Sequence, residues 1–112
     1  MEFVITILHY HKGNDIDKVL FGKKLNQNRI NEDIRIFPIG GLKKNGGLQE
    51  KYIKINLKNN TDFNLDLLSD FLAHRLTPMD DADSLKIGNN TIELKKEKIK
   101  SALQMHLDEL KI

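Results

Sequence analysis

At Thr61 the spacing of apolar residues changes, and that change limits what the chain can fold into. Before it, Tyr52-Ile53-Lys54-Ile55-Asn56-Leu57 alternates strictly. Ile53, Ile55 and Leu57 therefore share one side of an extended strand, while Tyr52, Lys54, Asn56 and Lys58 share the other. After it, Leu65, Leu68, Leu72, Ala73 and Leu76 recur at helical spacing as far as Thr77-Pro78. A strand and a helix that are each apolar on one side must bury those sides against each other. The expectation is an α+β fold, with helices packed on one face of a sheet.

The remaining elements follow from local chemistry. Residues 3–10 are β-branched and aromatic, which favours a buried first strand. Asp15 can cap a short helical turn carrying Ile16, Val19 and Leu20, and the polar stretch Gly22 to Asn31 reads as an exposed loop. Ile34 to Phe37 reads as a strand closed by Pro38 and Gly40-Gly41. Asn45-Gly46-Gly47 is a turn signal, because these residues tolerate positive φ at little cost. Thr61 is a candidate N-cap for the helix that follows. Ser84 to Ile87 and Thr91 to Leu94 flank Gly88-Asn89-Asn90 as a hairpin. Ile99, Ala102, Leu103, Leu107 and Leu110 then make one stripe on a C-terminal helix of about four turns. The order predicts a mostly antiparallel sheet of about five strands with two main helices on one face, in a single domain spanning residues 1–112.

A chain of 112 residues can sustain one core without staples. It contains no cysteine, which excludes disulfide scaffolds, thiolate catalysis and cysteine-ligated zinc. The apolar run from Phe3 to Leu8 is too short to span a bilayer, and it lacks the basic lead of a secretion signal. The expected location is cytoplasmic, with no membrane contact. On that reading Asn59-Asn60-Thr61 and Asn89-Asn90-Thr91 have no role as glycosylation acceptors.

Net charge is +2, but it sums opposed blocks. Residues 1–60 hold 11 Lys/Arg against 6 Asp/Glu, residues 61–94 hold two against seven, and residues 95–112 hold five against three. Within the acidic block, Asp62, Asp66 and Asp70 stand on one helix face about a turn apart, and Asp80, Asp81 and Asp83 follow just beyond. These six are the candidate partner-binding residues, a carboxylate surface that steers and engages a basic protein. A solvated helix face with a capping loop fits the same residues. A divalent-cation site at Asp80, Asp81 and Asp83 fits less well, because the run lacks the spaced ligands and terminal Glu of a calcium loop.

Other patterns carry less chemistry. His9 and His11 share a strand face but have no third ligand at a metal-site spacing, and His74 and His106 fall within helical segments. Gly41 to Gly47 has Gly47-Leu48 where a phosphate-cradling loop needs Lys then Ser or Thr. Tyr52, Lys54 and Lys58, with Lys43, Lys44 and Lys51 nearby, could follow a nucleic-acid backbone, though Tyr52 is the one aromatic on that face. No Gly-x-Ser-x-Gly occurs, and neither an enzymatic site nor a cofactor or metal is expected.

Together, the strand-first chain (Phe3 to Tyr10), the Asn/Lys-rich loops (Gly22 to Asn31, Asn59-Asn60) and the acidic block from Asp62 to Asp83 resemble the small immunity proteins of bacterial contact-dependent growth inhibition systems. The resemblance lies in overall organisation, and no shared motif passes from it to particular residues. It implies a protein that binds one cognate toxin, often a nuclease, and covers its active site or an adjacent surface. Many such nuclease inhibitors are acidic overall, whereas this chain is slightly basic. Direct binding of nucleic acid through the Lys54 strand face is the alternative expectation.

Overall fold

A computed structural model describes residues 1–10, 16–22, 28–42 and 47–110. The elements in chain order are β1 (Glu2–His9), α1 (Ile16–Phe21), β2 (Asn28–Asn31), β3 (Ile34–Leu42), β4 (Gln49–Leu57), α2 (Asp62–Leu76), β5 (Ala82–Ile87), β6 (Asn90–Glu93) and α3 (Lys96–Leu110). All six strands join one sheet in the order β2-β3-β4-β1-β5-β6, and every pairing is antiparallel. The fold is α+β, as the two periods require.

Alternation decides which face the helices cover. Ile5 and Ile7 of β1, Ile34 and Ile36 of β3, Ile53, Ile55 and Leu57 of β4, and Leu85 and Ile87 of β5 are all at most 1% exposed. They form one cluster with Leu65, Leu68, Leu72 and Leu76 of α2, Ile99, Leu103 and Leu107 of α3, and Leu20 of α1. Burying a side chain of this size contributes roughly 1.5–3 kcal/mol. Helix α2 starts where Thr61 accepts the amide of Asn64 on its hydroxyl at 3.2 Å, the expected cap.

Among the described residues the sheet has six strands rather than about five, because Asn28–Asn31 is β2 and not loop. Its polar sequence hides the strand. Asn28 donates to the Leu20 carbonyl at 2.6 Å and Asn31 to the Asn64 side chain at 2.9 Å, so the asparagines find protein partners while Ile30 packs on the core. Strand β3 also continues past Pro38 to Leu42, with a shift of register between Pro38 and Gly41. Proline is tolerated there because β2 pairs with β3 only as far as Ile36, leaving that side of Pro38 without a ladder partner among the described residues. Gly40 adopts φ 103°, and a Cβ on Gly41 would collide with the Glu50 carbonyl, so the glycine pair bends the strand instead of ending it. The Asp15 cap, His11, Lys43, Lys44 and the Asn45-Gly46 turn lie outside the described residues. Among the described residues no helix is long and apolar enough to cross a membrane.

Candidate binding surfaces

The helical spacing that aligns Asp62, Asp66 and Asp70 on α2 also sets them against α3. Helix α3 opens with Lys96 and Lys100, one turn apart, and both reach across to these carboxylates. Lys100 Nζ lies 3.0 Å from Asp62 and 3.4 Å from Asp66, while Lys96 Nζ lies 3.1 Å from Asp66 and 3.9 Å from Asp70. The result is a zipper in which Asp66 is gripped from both sides. The hydrogen bond from Lys96, with its charge and that of Lys100, holds the Asp66 carboxyl below the usual carboxylate range. The hydrogen bond to Asp62 raises Lys100 above its ordinary value, with Asp66 adding to the effect.

This changes the meaning of the charge blocks. Part of the acidic stretch 61–94 faces part of the basic stretch 95–112, through Asp62, Asp66 and Asp70 against Lys96 and Lys100 and through Glu93 against Lys95 and Lys98. The helix face is therefore a mixed one, with Lys96 and Lys100 set against its three carboxylates. Asp62 and Asp70 keep their side chains 87% and 62% exposed and can still meet solvent or a partner. Asp80 is exposed in the turn after α2, and Asp83 is exposed at the start of β5, where it accepts the Ser84 hydroxyl at 2.9 Å. Asp81 differs from the other five. It is 1% exposed, and its carbonyl receives the Tyr10 amide at 2.7 Å, stitching the turn to the end of β1. The six carboxylates thus occupy a helix face, a separate turn and the start of β5. Among the described residues no group of three or more His, Cys, Asp or Glu could hold a metal ion.

A second surface arises on the far side of the sheet, which no described helix covers. Cross-strand register arranges it in rows. Arg35, Asn56 and Glu2 form one, with Arg29 opposite Arg35, and Phe37, Lys54 and Val4 form the next. Tyr52, Thr6, Lys86 and Thr91 follow, then Leu42, Glu50, Leu8, Ser84 and Glu93. The Lys54 ammonium sits 5.1 Å from the Phe37 ring centroid, and Tyr52 donates its hydroxyl to Glu50 at 2.9 Å, a bond that raises the phenol above its ordinary pKa. Val4 and Leu42 are 44% and 54% exposed. The face carries four cations (Arg29, Arg35, Lys54, Lys86) and three glutamates (Glu2, Glu50, Glu93), so its charge is mixed.

Sequence reading found Tyr52 and Lys54 on this face but missed Phe37, Val4 and the two arginines. Phe37 was legible, since it alternates with the buried Ile34 and Ile36. Lys51 belongs elsewhere, for it points to the helix side and pairs with Asp17 of α1 at 2.9 Å. His9 is half-buried at the end of β1, and His74 is exposed on α2. His106 packs edge-on against Phe3 with ring centroids 5.7 Å apart, a structural role. Comparison of the chain with protein-family models, with curated proteins and with solved structures finds no match.

Proposed function

We propose that the protein is an inhibitory binding protein of the immunity class, which captures a bacterial toxin domain and holds it inactive, and that its main capture surface is the open face of the sheet. The observation that carries this reading is the composition of that face. Exposed Val4 and Leu42 and half-buried Phe37, Tyr52 and Leu8 sit among cations and glutamates of nearly balanced number. Interfaces between proteins combine an apolar, aromatic centre with a charged margin in this way. Asp62, Asp70, Asp80 and Asp83 take the second role, steering a basic toxin, such as a nuclease, towards contact.

The test is titration of the protein with candidate toxin domains from neighbouring genes, by calorimetry for affinity and by stopped-flow mixing for association rate. Val4→Asp and Phe37→Ala should each weaken binding by about 30-fold, the scale of a truncated hot spot. Asp62→Asn, Asp70→Asn and Asp80→Asn together should mainly slow association and flatten its salt dependence. Open-face variants that bind as tightly as wild type would refute the assignment, and an unaltered salt dependence in the triple variant would remove the steering role.

Phe37 beside Lys54 and Tyr52 gives the nucleic-acid reading a second aromatic ring. The three glutamates of the same face oppose a phosphate backbone. Retention of single-stranded RNA or DNA at low salt, lost in Lys54→Glu, would favour that reading over toxin capture.

A further inference from the structure

The sheet ends at β6, and helix α3 reaches past it. Between them lies a groove of about 590 Å³ lined by Thr91, Ile92, Lys98, Ser101, Ala102 and Met105. Ile92 is half-buried against the core, Ala102 is buried, and Met105 is 56% exposed, so the apolar layer continues out to the edge and stops open. The two-residue turn Gly88-Asn89 makes Ile87 and Asn90 a hydrogen-bonded pair. Ladder alternation then turns the main-chain groups of Asn90 and Ile92 towards β5, and those of Thr91 and Glu93 away from the sheet. Among the described residues no strand pairs with that outer side. The Glu93 carbonyl accepts the Lys95 amide at 2.7 Å and keeps a second lone pair.

We propose that a second copy of this chain docks edge to edge along β6, antiparallel, about a two-fold axis through Ile92. The strand is complementary to itself in that register. Thr91 falls opposite Glu93 of the other copy, so each pair exchanges two main-chain hydrogen bonds and the dimer gains four. On the helix side the two Ile92 side chains meet over Ala102 and Met105, filling the groove. On the open side each threonine hydroxyl faces a carboxylate, and no like charges stand directly opposite. Charge also selects this edge over the other. Glu93 is already paired with Lys98 at 2.8 Å and with Lys95 at 3.3 Å, and Glu97 balances the remaining lysine. The β2 edge carries Arg29 with Arg35 beside it and would repel its own copy. A two-fold contact of this kind is closed, so it yields dimers and not filaments.

Sedimentation equilibrium from about 10 μM to about 1 mM, with amide hydrogen exchange at both ends of the range, tests the proposal. The expected result is a reversible monomer–dimer equilibrium in which the Thr91 and Glu93 amides gain protection as the dimer forms. Thr91→Pro removes an outward donor and no ladder bond to β5, and should raise the dissociation constant about tenfold or more. Met105→Glu places charge in the groove from an exposed site and should do the same, which keeps the test decisive if the proline variant misfolds. A chain that stays monomeric throughout overturns the proposal. So does a dimer indifferent to both changes, or one abolished instead by Val4→Asp on the open face.

Discussion

Asn64 should be one of the most costly polar positions to alter. It is 2% exposed in the first turn of α2, and its side chain accepts from Asn31 at 2.9 Å while donating to Asp33 at 3.0 Å and to the Asn59 carbonyl at 2.8 Å. These bonds tie the β2–β3 turn, the end of β4 and the start of α2 into one knot. Asn64→Ala removes three hydrogen bonds at about 1 kcal/mol each, so the loss should be about 2–3 kcal/mol. With a urea slope of roughly 1–1.5 kcal/mol per molar for a small domain, the unfolding midpoint should fall by about 2 M. The variant should also change the acid limb of the stability curve. The Asn64 bond is the largest of the influences holding the Asp33 carboxyl below its ordinary 3.8. A carboxyl depressed on folding stabilises above its unfolded pKa, and that stabilisation is lost as pH falls through the folded value. In Asn64→Ala the decline below about pH 4 should therefore be shallower than in wild type. A loss under about 0.5 kcal/mol, with an unchanged acid limb, would show that the knot is solvated and contributes little.

Two further outcomes follow from the zipper and the bent strand. Lys100→Met should lower the urea midpoint at low salt and narrow its gap from wild type in concentrated salt. Because Lys100 is raised above 10.5, its contribution is full below that pH and disappears as pH rises through the folded value, so the wild-type and variant curves should converge at strongly alkaline pH. Gly41→Ala should lower the melting temperature by several degrees in calorimetry, because its methyl group meets the Glu50 carbonyl and not open space. Gly47→Ala, with nothing close to its Cβ position, should melt near wild type by comparison.

How far the fold could be read in advance differed from element to element for physical reasons. Helix α2 and strand β4 were legible because Leu65, Leu68 and Leu72, and Ile53, Ile55 and Leu57, each repeat a single period against one core. Strand β2 was not, since Asn28-Arg29-Ile30-Asn31 has one core side chain and satisfies its asparagines through Leu20 and Asn64, distant partners that no local pattern reveals. The candidate site divides in the same way. Spacing placed Asp62, Asp66 and Asp70 on one face correctly, but their neighbours across the helix pair, Lys96 and Lys100, are a tertiary fact. Summing charge along the chain treats residues 61–94 and 95–112 as separate fields, when packing brings them to within 3–4 Å. Asp81 reads as one more surface acid until the turn folds back on the end of β1, where its carbonyl takes the Tyr10 amide and the residue is buried.

The central place of β1 has a consequence for how the chain reaches this structure. Thr6 pairs with Tyr52 on one side and with Lys86 on the other, so the middle of the sheet closes only after distant segments have been brought together. Such non-local pairing makes folding slow relative to a helical bundle of similar size. On the ribosome, a chain that has not yet emerged as far as Ala82 holds its central strand as a raw edge, with Ile5 and Ile7 uncovered on one flank. Any fragment ending before β5 should share that exposure and stick to its own kind. The stretch around Ala82–Ile87 is thus the clasp of the molecule, because its ladder to β1 closes the centre of the sheet.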